Sequence, residues 1–290
     1  MRRFRYTKIM PVRFIALDID GTLLNSRFEV SSANRAAIAE ATRRGVEVAL
    51  VTGRRYDFAM PVARQVDAPL TMIVNNGALV RTKDGQTLLR HLLPRPTARR
   101  VILATTPWRD STVVVFDRPS ANQMILESIN WEDPTRGGYY SRNRQFMAAV
   151  TPLESCLNED PLQVMYTGSV VAMREAEMTL RRVQFAEEFT VAATVYEDRD
   201  FSMIDVIHPG VTKGTTLAEW TAARAIAREE ILAIGDNHND LEMLSFAGVP
   251  VVMENSVAEL KQRGWHVTRS NDEDGVAAAI ERFALAEATE

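Results

Sequence analysis

A chain of 290 residues has room for about two domains, and 46% hydrophobic, 25% charged and 7% aromatic residues are the composition of a folded globular protein, which excludes a disordered chain and a small staple-dependent fold. Thirty-four Lys and Arg against 38 Asp and Glu leave a formal charge of -4, so no global basic field exists for nucleic acid or an anionic membrane, and any phosphate must be held locally. The lone Cys156 has no intrachain disulfide partner, and no apolar run approaches the ~18 residues of a membrane span; the expectation is a cytoplasmic protein without nucleic-acid or membrane partners.

The first eight residues carry Arg2, Arg3, Arg5 and Lys8 with no apolar h-region of ~7 residues behind them, so they make no secretory signal, and the chain from Met10 on reads equally well as a start. Residues 14–17 are a continuous apolar run ending at Asp18, the pattern of a strand buried on both faces of a parallel sheet. A helix follows over residues 33–44, with Ser31 or Ser32 as N-cap, Arg43 and Arg44 in its last turn and Gly45 past its end. Residues 46–51 form a second strand that closes on Thr52-Gly53-Arg54. A helical stretch interrupted by Pro61 leads to a third strand, residues 71–74, ending in Asn75-Asn76-Gly77. Strand, helix, strand, helix, strand implies parallel pairing.

After Gly77 the rhythm changes. Residues 78–80 and 87–89 flank the turn dipeptide Asp84-Gly85 and predict a hairpin. A helical segment after Pro96, a strand at 112–116, a loop around Arg136-Gly137-Gly138, strands at 162–166 and 191–195 and a long helix near 171–188 between them read as an inserted α+β unit. Strands at 203–207, 231–234 and 249–252 then alternate with helices beginning near Lys213, Asn239 and Val257, and a last helix covers residues 275–284. The expected architecture is an α/β, Rossmann-like parallel-sheet core built from residues 10–81 and 201–290, with residues 82–200 as an inserted α+β cap.

Ligands of open parallel sheets sit beyond the carboxyl ends of the strands, and four such places carry one kind of chemistry. They are Asp18-Ile19-Asp20-Gly21-Thr22, Thr52-Gly53-Arg54, Lys213-Gly214, and Gly235-Asp236-Asn237-His238-Asn239-Asp240. Each alone has a bland reading as turn, solvated helix end or cap; topology would place all four on one rim. Clustered Asp18, Asp20 and Asp236 repel unless a cation joins them, and all-oxygen ligands without His or Cys point to a hard ion such as Mg²⁺. One of these carboxylates is then a candidate nucleophile toward phosphorus.

With Leu23 completing the first motif, these segments resemble the four motifs of the haloacid dehalogenase superfamily, in that family's order, over essentially the whole chain from about Val12. The insert after Asn76-Gly77 resembles the C2-capped, Cof-type phosphatase branch, subclass IIB. The resemblance implies Asp18 as nucleophile and metal ligand, and Asp20 as general acid/base with its backbone carbonyl on the metal. It implies that Thr52 and the amides of Ile19 and Gly53 hold the phosphoryl oxygens, that Lys213 pairs with phosphate and Asp18, and that Asp236 is the third protein ligand of Mg²⁺. Asn239 would touch phosphate and Asp240 would support the metal or Lys213 from behind. Where the family often has Gly-Asn-Ala, this chain reads Met253-Glu254-Asn255-Ser256, so Asn255 receives no role.

The implied activity is Mg²⁺-dependent hydrolysis of small phosphorylated metabolites, sugar or cofactor phosphates, through an aspartyl-phosphate, by a monomer or homodimer. A phosphomutase of the same superfamily and a non-catalytic sensor of phosphorylated ligands are the alternatives. Specificity is assigned to the insert, where Arg90, Arg95, Arg99, Arg100 and Arg109 read as a solvated face or as contacts to an anionic leaving group, and Trp108, Trp131, Tyr139 and Tyr140 as core or as stacking groups. His208 and Cys156 read as structural.

Overall fold

The protein, a computed structural model, is described over residues 11–286. The basic start of the chain lies outside these residues.

The strands are β1 (Phe14–Leu17), β2 (Glu47–Val51), β3 (Thr71–Val74), β4 (Leu79–Thr82), β5 (Thr87–Arg90), β6 (Thr112–Val115), β7 (Met124–Leu126), β8 (Met147–Ala149), β9 (Gln163–Gly168), β10 (Thr190–Tyr196), β11 (Phe201–Ile207), β12 (Ile231–Gly235), β13 (Val249–Val252) and β14 (His266–Val267). The helices are α1 (Ser32–Arg43), α2 (Tyr56–Ala63), α3 (Arg95–Ala104), α4 (Gly137–Asn143), α5 (Val170–Arg182), α6 (Lys213–Ala222), α7 (Leu241–Phe246), α8 (Ala258–Lys261) and α9 (Gly275–Ile280).

Eight strands form the core sheet in the order β14-β13-β12-β1-β2-β3-β4-β5. The six from β14 to β3 run parallel, and the β4–β5 hairpin adds an antiparallel edge. Both faces of the sheet are covered, which explains the unbroken apolar runs. In β1, Ile15 and Leu17 pack with Ile38 of α1, whereas Phe14 and Ala16 pack with Leu217 of α6. Helix α1 starts as expected, with the Ser31 side chain accepting from the Asn34 amide.

The second sheet has the order β10-β11-β9-β6-β7-β8 and is antiparallel except for the β7–β8 pair. It has its own apolar interior, including Val164, Tyr166, Ile204 and Leu180. The protein is therefore an α/β fold with a parallel core sheet and a separate inserted cap of mixed α+β structure.

Three expectations need correction. Residues 203–207 do not return to the core: β11 pairs antiparallel with β10 and β9 in the second sheet. The reason is local, because only residues 197–200 separate β10 from β11, with Asp200 in the left-handed region (φ 44), and so short a link closes a hairpin. Conversely, the β4–β5 hairpin belongs wholly to the core sheet, so the boundary near residue 82 falls inside it. The loop expected at 136–138 is instead the start of α4. Asp133 makes this turn, accepting from the Thr135 and Arg136 amides while its carbonyl accepts from Gly137 N, and a Cβ on Gly137 would lie 2.8 Å from the Trp131 carbonyl oxygen.

Candidate active site

Register assembles the site. Leu17 lies beside Ile234 of β12 and Leu50 of β2, so the residues that follow, Asp18, Asp236 and Thr52, leave neighbouring strands at one end of the sheet. Helix α6 opens beneath them. Thr212 caps it, its hydroxyl accepting from Thr215 N, which puts Lys213 in the first helical position pointing at the strand ends.

Lys213 is 1% exposed. Its Nζ donates to Asp18 Oδ1 at 2.6 Å and to Asp240 Oδ1 at 2.7 Å. The other Asp240 oxygen accepts from the backbone amides of Asp236 at 2.9 Å and Asn237 at 3.0 Å, so this carboxylate is fully committed to holding its neighbours. Asp236 accepts from Thr22 Oγ1 at 2.6 Å. Carboxylate oxygens of Asp18, Asp236 and Asp240 all lie within 4.8 Å of one another. Thus Asp18 and Asp236, 218 positions apart in the sequence, meet at one point.

The electrostatics follow from burial. Three carboxyls share one ammonium. Loss of water and the charge of Asp240 push Asp18 up to about 7, although Lys213 pulls it down. Burial and Asp18 raise Asp236 well above the usual carboxylate range. Burial alone would lower Lys213; Asp18 and Asp240 outweigh it and leave the ammonium firmly protonated. A cluster of this kind, all oxygen, buried and short of positive charge, fits a hard divalent cation.

Asp20 stands apart from that cluster. Both its oxygens are held by Arg54, with Nε at 2.7 Å and Nη2 at 2.6 Å, a bidentate bridge. Burial alone would lower Arg54, but the hydrogen bonds it donates to Asp20 raise it. The side-chain triad is therefore Asp18, Asp236 and Asp240, with the Asp20 carboxylate turned to Arg54. Gly21 makes this packing possible: its φ is +81, and a Cβ there would fall 2.3 Å from Asp236 Oδ2.

Above the carboxylates lies a cavity of about 600 Å³ between core and cap. Thr52, Gly53 and Asn239 line it with Asp18 and Asp20. Thr52 Oγ1 accepts from Arg54 N at 3.1 Å. The Ile19 side chain is fully buried in the core, which leaves its backbone as the part available to a ligand. The Asn239 amide donates to Asn76 Oδ1 at 3.1 Å and to Thr194 Oγ1 of β10 at 3.3 Å, so it also ties the core to the cap.

Sequence reasoning missed part of the site. Asn76 donates to Asp205 Oδ2 at 2.7 Å, and Gln163 donates to Asp205 Oδ1 at 2.7 Å, joining the end of β3 to two cap strands. Burial pushes Asp205 up to about 7. Its signal was a carboxyl inside the apolar run Met203-Ile204-Asp205-Val206-Ile207. Arg55, next to the motif arginine, also lines the cavity and was overlooked. The cap arginines first considered turn elsewhere: Arg90 meets Asp117, Arg95 Asp160, Arg100 Glu188 and Arg109 both Glu127 and Glu154, while Arg99 donates to the Glu154 carbonyl. None of these five lines the cavity. Of the aromatics first considered, Tyr139 does, while Tyr140 is buried in the cap interior. His208 Nδ1 lies 2.8 Å from the Pro209 carbonyl and Cys156 is buried, both away from the cavity. Among the described residues no helix is long and apolar enough to cross a membrane.

Residues 15–280 match the family described as haloacid dehalogenase-like hydrolase. The chain is 27% identical, over 94% of its length and 98% of the relative's, to the 5-amino-6-(5-phospho-D-ribitylamino)uracil phosphatase YwtE of Bacillus subtilis (strain 168). It is 28% identical, over 94% of its own length, to the chloroplastic endoribonuclease YBEY of Arabidopsis thaliana, of which the match covers 46%, so the chain spans less than half of that relative. A crystal structure of a haloacid dehalogenase-like hydrolase from Bacteroides thetaiotaomicron superposes with a TM-score of 0.76 at 25% identity, covering 93% of this chain and 99% of that one. With the match running through both halves of the core and the whole cap, the chain belongs to the haloacid dehalogenase-like hydrolases, in their Cof-type phosphatase branch, and is a phosphoric monoester hydrolase.

Proposed function

We propose that the protein hydrolyses small phosphorylated metabolites, sugar or cofactor phosphates, with Mg²⁺ and through a phosphoryl group carried on Asp18. The observation that supports this most is the contact of Lys213 with both Asp18 and Asp240 at the cavity floor, with an oxygen of Asp236 in the same cluster. Asp18 and Asp236, together with the Asp20 carbonyl, would hold Mg²⁺, and Asp240 would anchor Lys213 and the backbone around Asp236. When bound, Mg²⁺ supplies positive charge to the phosphoryl oxygens and orients them.

The protein's own groups then carry the steps. An Asp18 oxygen attacks phosphorus as the bond from phosphorus to the ester oxygen breaks, and Asp20 gives its proton to the leaving alcohol. Asp20, now a carboxylate, takes a proton from water; the water oxygen attacks phosphorus, and the bond to Asp18 breaks to release inorganic phosphate. Lys213, Thr52, Asn239 and the amides of Ile19 and Gly53 hold the phosphoryl oxygens throughout. Because Arg54 grips both Asp20 oxygens, proton delivery requires Asp20 to turn out of that bridge.

The test is phosphate release from a panel of phosphomonoesters, with Mg²⁺ and with a chelator, by wild type and Asp18→Asn. The name of the YwtE relative puts 5-amino-6-(5-phospho-D-ribitylamino)uracil on that panel. Release that needs Mg²⁺ and is lost in Asp18→Asn supports the reading; equal release by both proteins refutes Asp18 as nucleophile. Transfer to a second hydroxyl without free phosphate would identify a mutase.

A further inference from the structure

The cavity carries charge that the reacting centre does not use. Arg55, the residue before α2, leaves the core and enters the cap. One of its terminal nitrogens donates to Gln123 Oε1 and the other to Asn143 Oδ1 at 2.5 Å, and its guanidinium lies over the Phe146 ring, 4.6 Å from the centroid. Arg55 is 6% exposed and its Nε has no hydrogen-bond partner. Among the described residues it makes no ion pair within contact distance; Asp57 acts on it through space and is bonded to its partner Gln123, which donates to Asp57 at 2.6 Å.

A guanidinium buried against neutral amides is costly to maintain, and a strut between core and cap has no need of the charge. Two packed amides and a ring fix the group in place; burial pulls the guanidinium below its ordinary value, outweighing the Tyr139 hydroxyl and Asp57, which favour its charge from nearby. Arg142, on α4 beside Asn143, lines the same cavity, is exposed, and likewise makes no ion pair among the described residues. The carboxyl on the cap side of this cavity, Asp205, has both oxygens occupied by the amide donors of Asn76 and Gln163. Arg55 and Arg142 thus bring two guanidinium groups to this part of the cavity lining against the one carboxyl of Asp205, and neither is bonded to the carboxylate cluster that would take the metal.

We infer that Arg55 and Arg142 form a subsite for a second anionic group, a carboxylate or a phosphate, on the leaving portion of the substrate. This rests on the phosphatase reading and narrows it: the preferred substrates are phosphomonoesters with another negative charge away from the scissile phosphate. Arg142 supplies an exposed fork suited to a planar or tetrahedral oxyanion, and Arg55 supplies a positive charge held in place beside it.

The experiment compares kcat/KM within two substrate pairs, with p-nitrophenyl phosphate as a common reference for the reacting centre. In the carboxylate pair, 6-phosphogluconate is set against sorbitol 6-phosphate; in the phosphate pair, fructose 1,6-bisphosphate against fructose 6-phosphate. Wild type should favour the charged member of at least one pair by about tenfold or more, the scale of one charge-assisted contact, with the difference carried mainly by KM. Which pair shows it separates carboxylate from phosphate recognition. The charged-to-neutral ratio should fall toward one in Arg142→Gln and in Arg55→Gln. Arg55→Lys, which keeps the charge but not the fork, should retain part of the preference and stands in where Arg55→Gln does not fold. Turnover of p-nitrophenyl phosphate without preference for either charged member refutes the subsite, as does a preference unchanged in both Arg142→Gln and Arg55→Lys. A wild type that turns over none of the five compounds with Mg²⁺ refutes the phosphatase reading, and the subsite with it.

Discussion

Replacing Lys213 by Met isolates the electrostatic logic of the site. The ammonium is enclosed with side-chain exposures of 6% and 0% for its partners Asp18 and Asp240, and it contacts them at 2.6 and 2.7 Å. Removing one member of a buried ion pair costs about 3–5 kcal/mol, because the charge left behind has neither water nor partner. A chain of this size unfolds with an entropy of about 0.6 kcal/mol per kelvin, so the melting temperature should fall by roughly 5–8 °C. The deficit depends on pH. A carboxyl whose folded value is raised, as Asp18 is to about 7, contributes stability below the ordinary carboxylate range and loses it as pH rises through the raised value. Without Lys213 that value rises further, so the variant's deficit should widen as pH rises from about 5 to about 8. Thermal melts followed by circular dichroism, in chelator and across this range, provide the measurement. A variant within about 1 °C of wild type at both ends would refute the claim that Lys213 neutralises the cluster.

Asp20→Asn should lower kcat by about 10²–10⁴ on alkyl phosphates and much less on p-nitrophenyl phosphate, whose leaving group needs no proton; equal losses on both would remove Asp20 from proton transfer. Gly21→Ala forces a side chain into left-handed backbone and toward Asp236 Oδ2, so the Mg²⁺ concentration for half-maximal activity should rise several-fold, a shift that titration of activity against Mg²⁺ detects. Burial raises Asp205 to about 7, so wild type loses stability as pH rises from the ordinary carboxylate range through about 7, by about 4 kcal/mol at most, whereas Asp205→Asn does not. Chemical denaturation at several pH values should show the wild type's advantage over that variant shrinking over this interval.

Much of this was written in the chain because parallel strands announce themselves. The runs 14–17, 48–51, 72–74 and 231–235 are apolar, each is followed by polar residues, and the observed bounds of β1, β3, α6 and β13 begin where the pattern places them. Short elements were not legible. β7 and β8 have three residues each and β14 has two, too few for alternation to register, and they exist because a neighbouring strand offers each an edge. Met203-Ile204-Asp205-Val206-Ile207 looked like another core strand because its composition suits either sheet; only the four-residue link to β10 distinguishes them. Within the site, the meeting of Asp18, Lys213, Asp236 and Asp240 was readable from strand ends. Arg55 was not, since its importance comes from cap residues Gln123 and Asn143, 68 and 88 positions away. Contacts across the junction of core and cap have no local sequence signature, and that is where the proposed subsite lies.

Covalent capture decides whether Asp18 carries the phosphoryl group. A single turnover with a substrate labelled in its phosphoryl group is quenched in acid, treated with borohydride and digested, and the peptides are read by mass spectrometry. Label retained on the protein before reduction, with the reduced residue at position 18 and none in Asp18→Asn, is the expected result. Full turnover with no label on the protein at any time, or label on a residue other than Asp18, would contradict it.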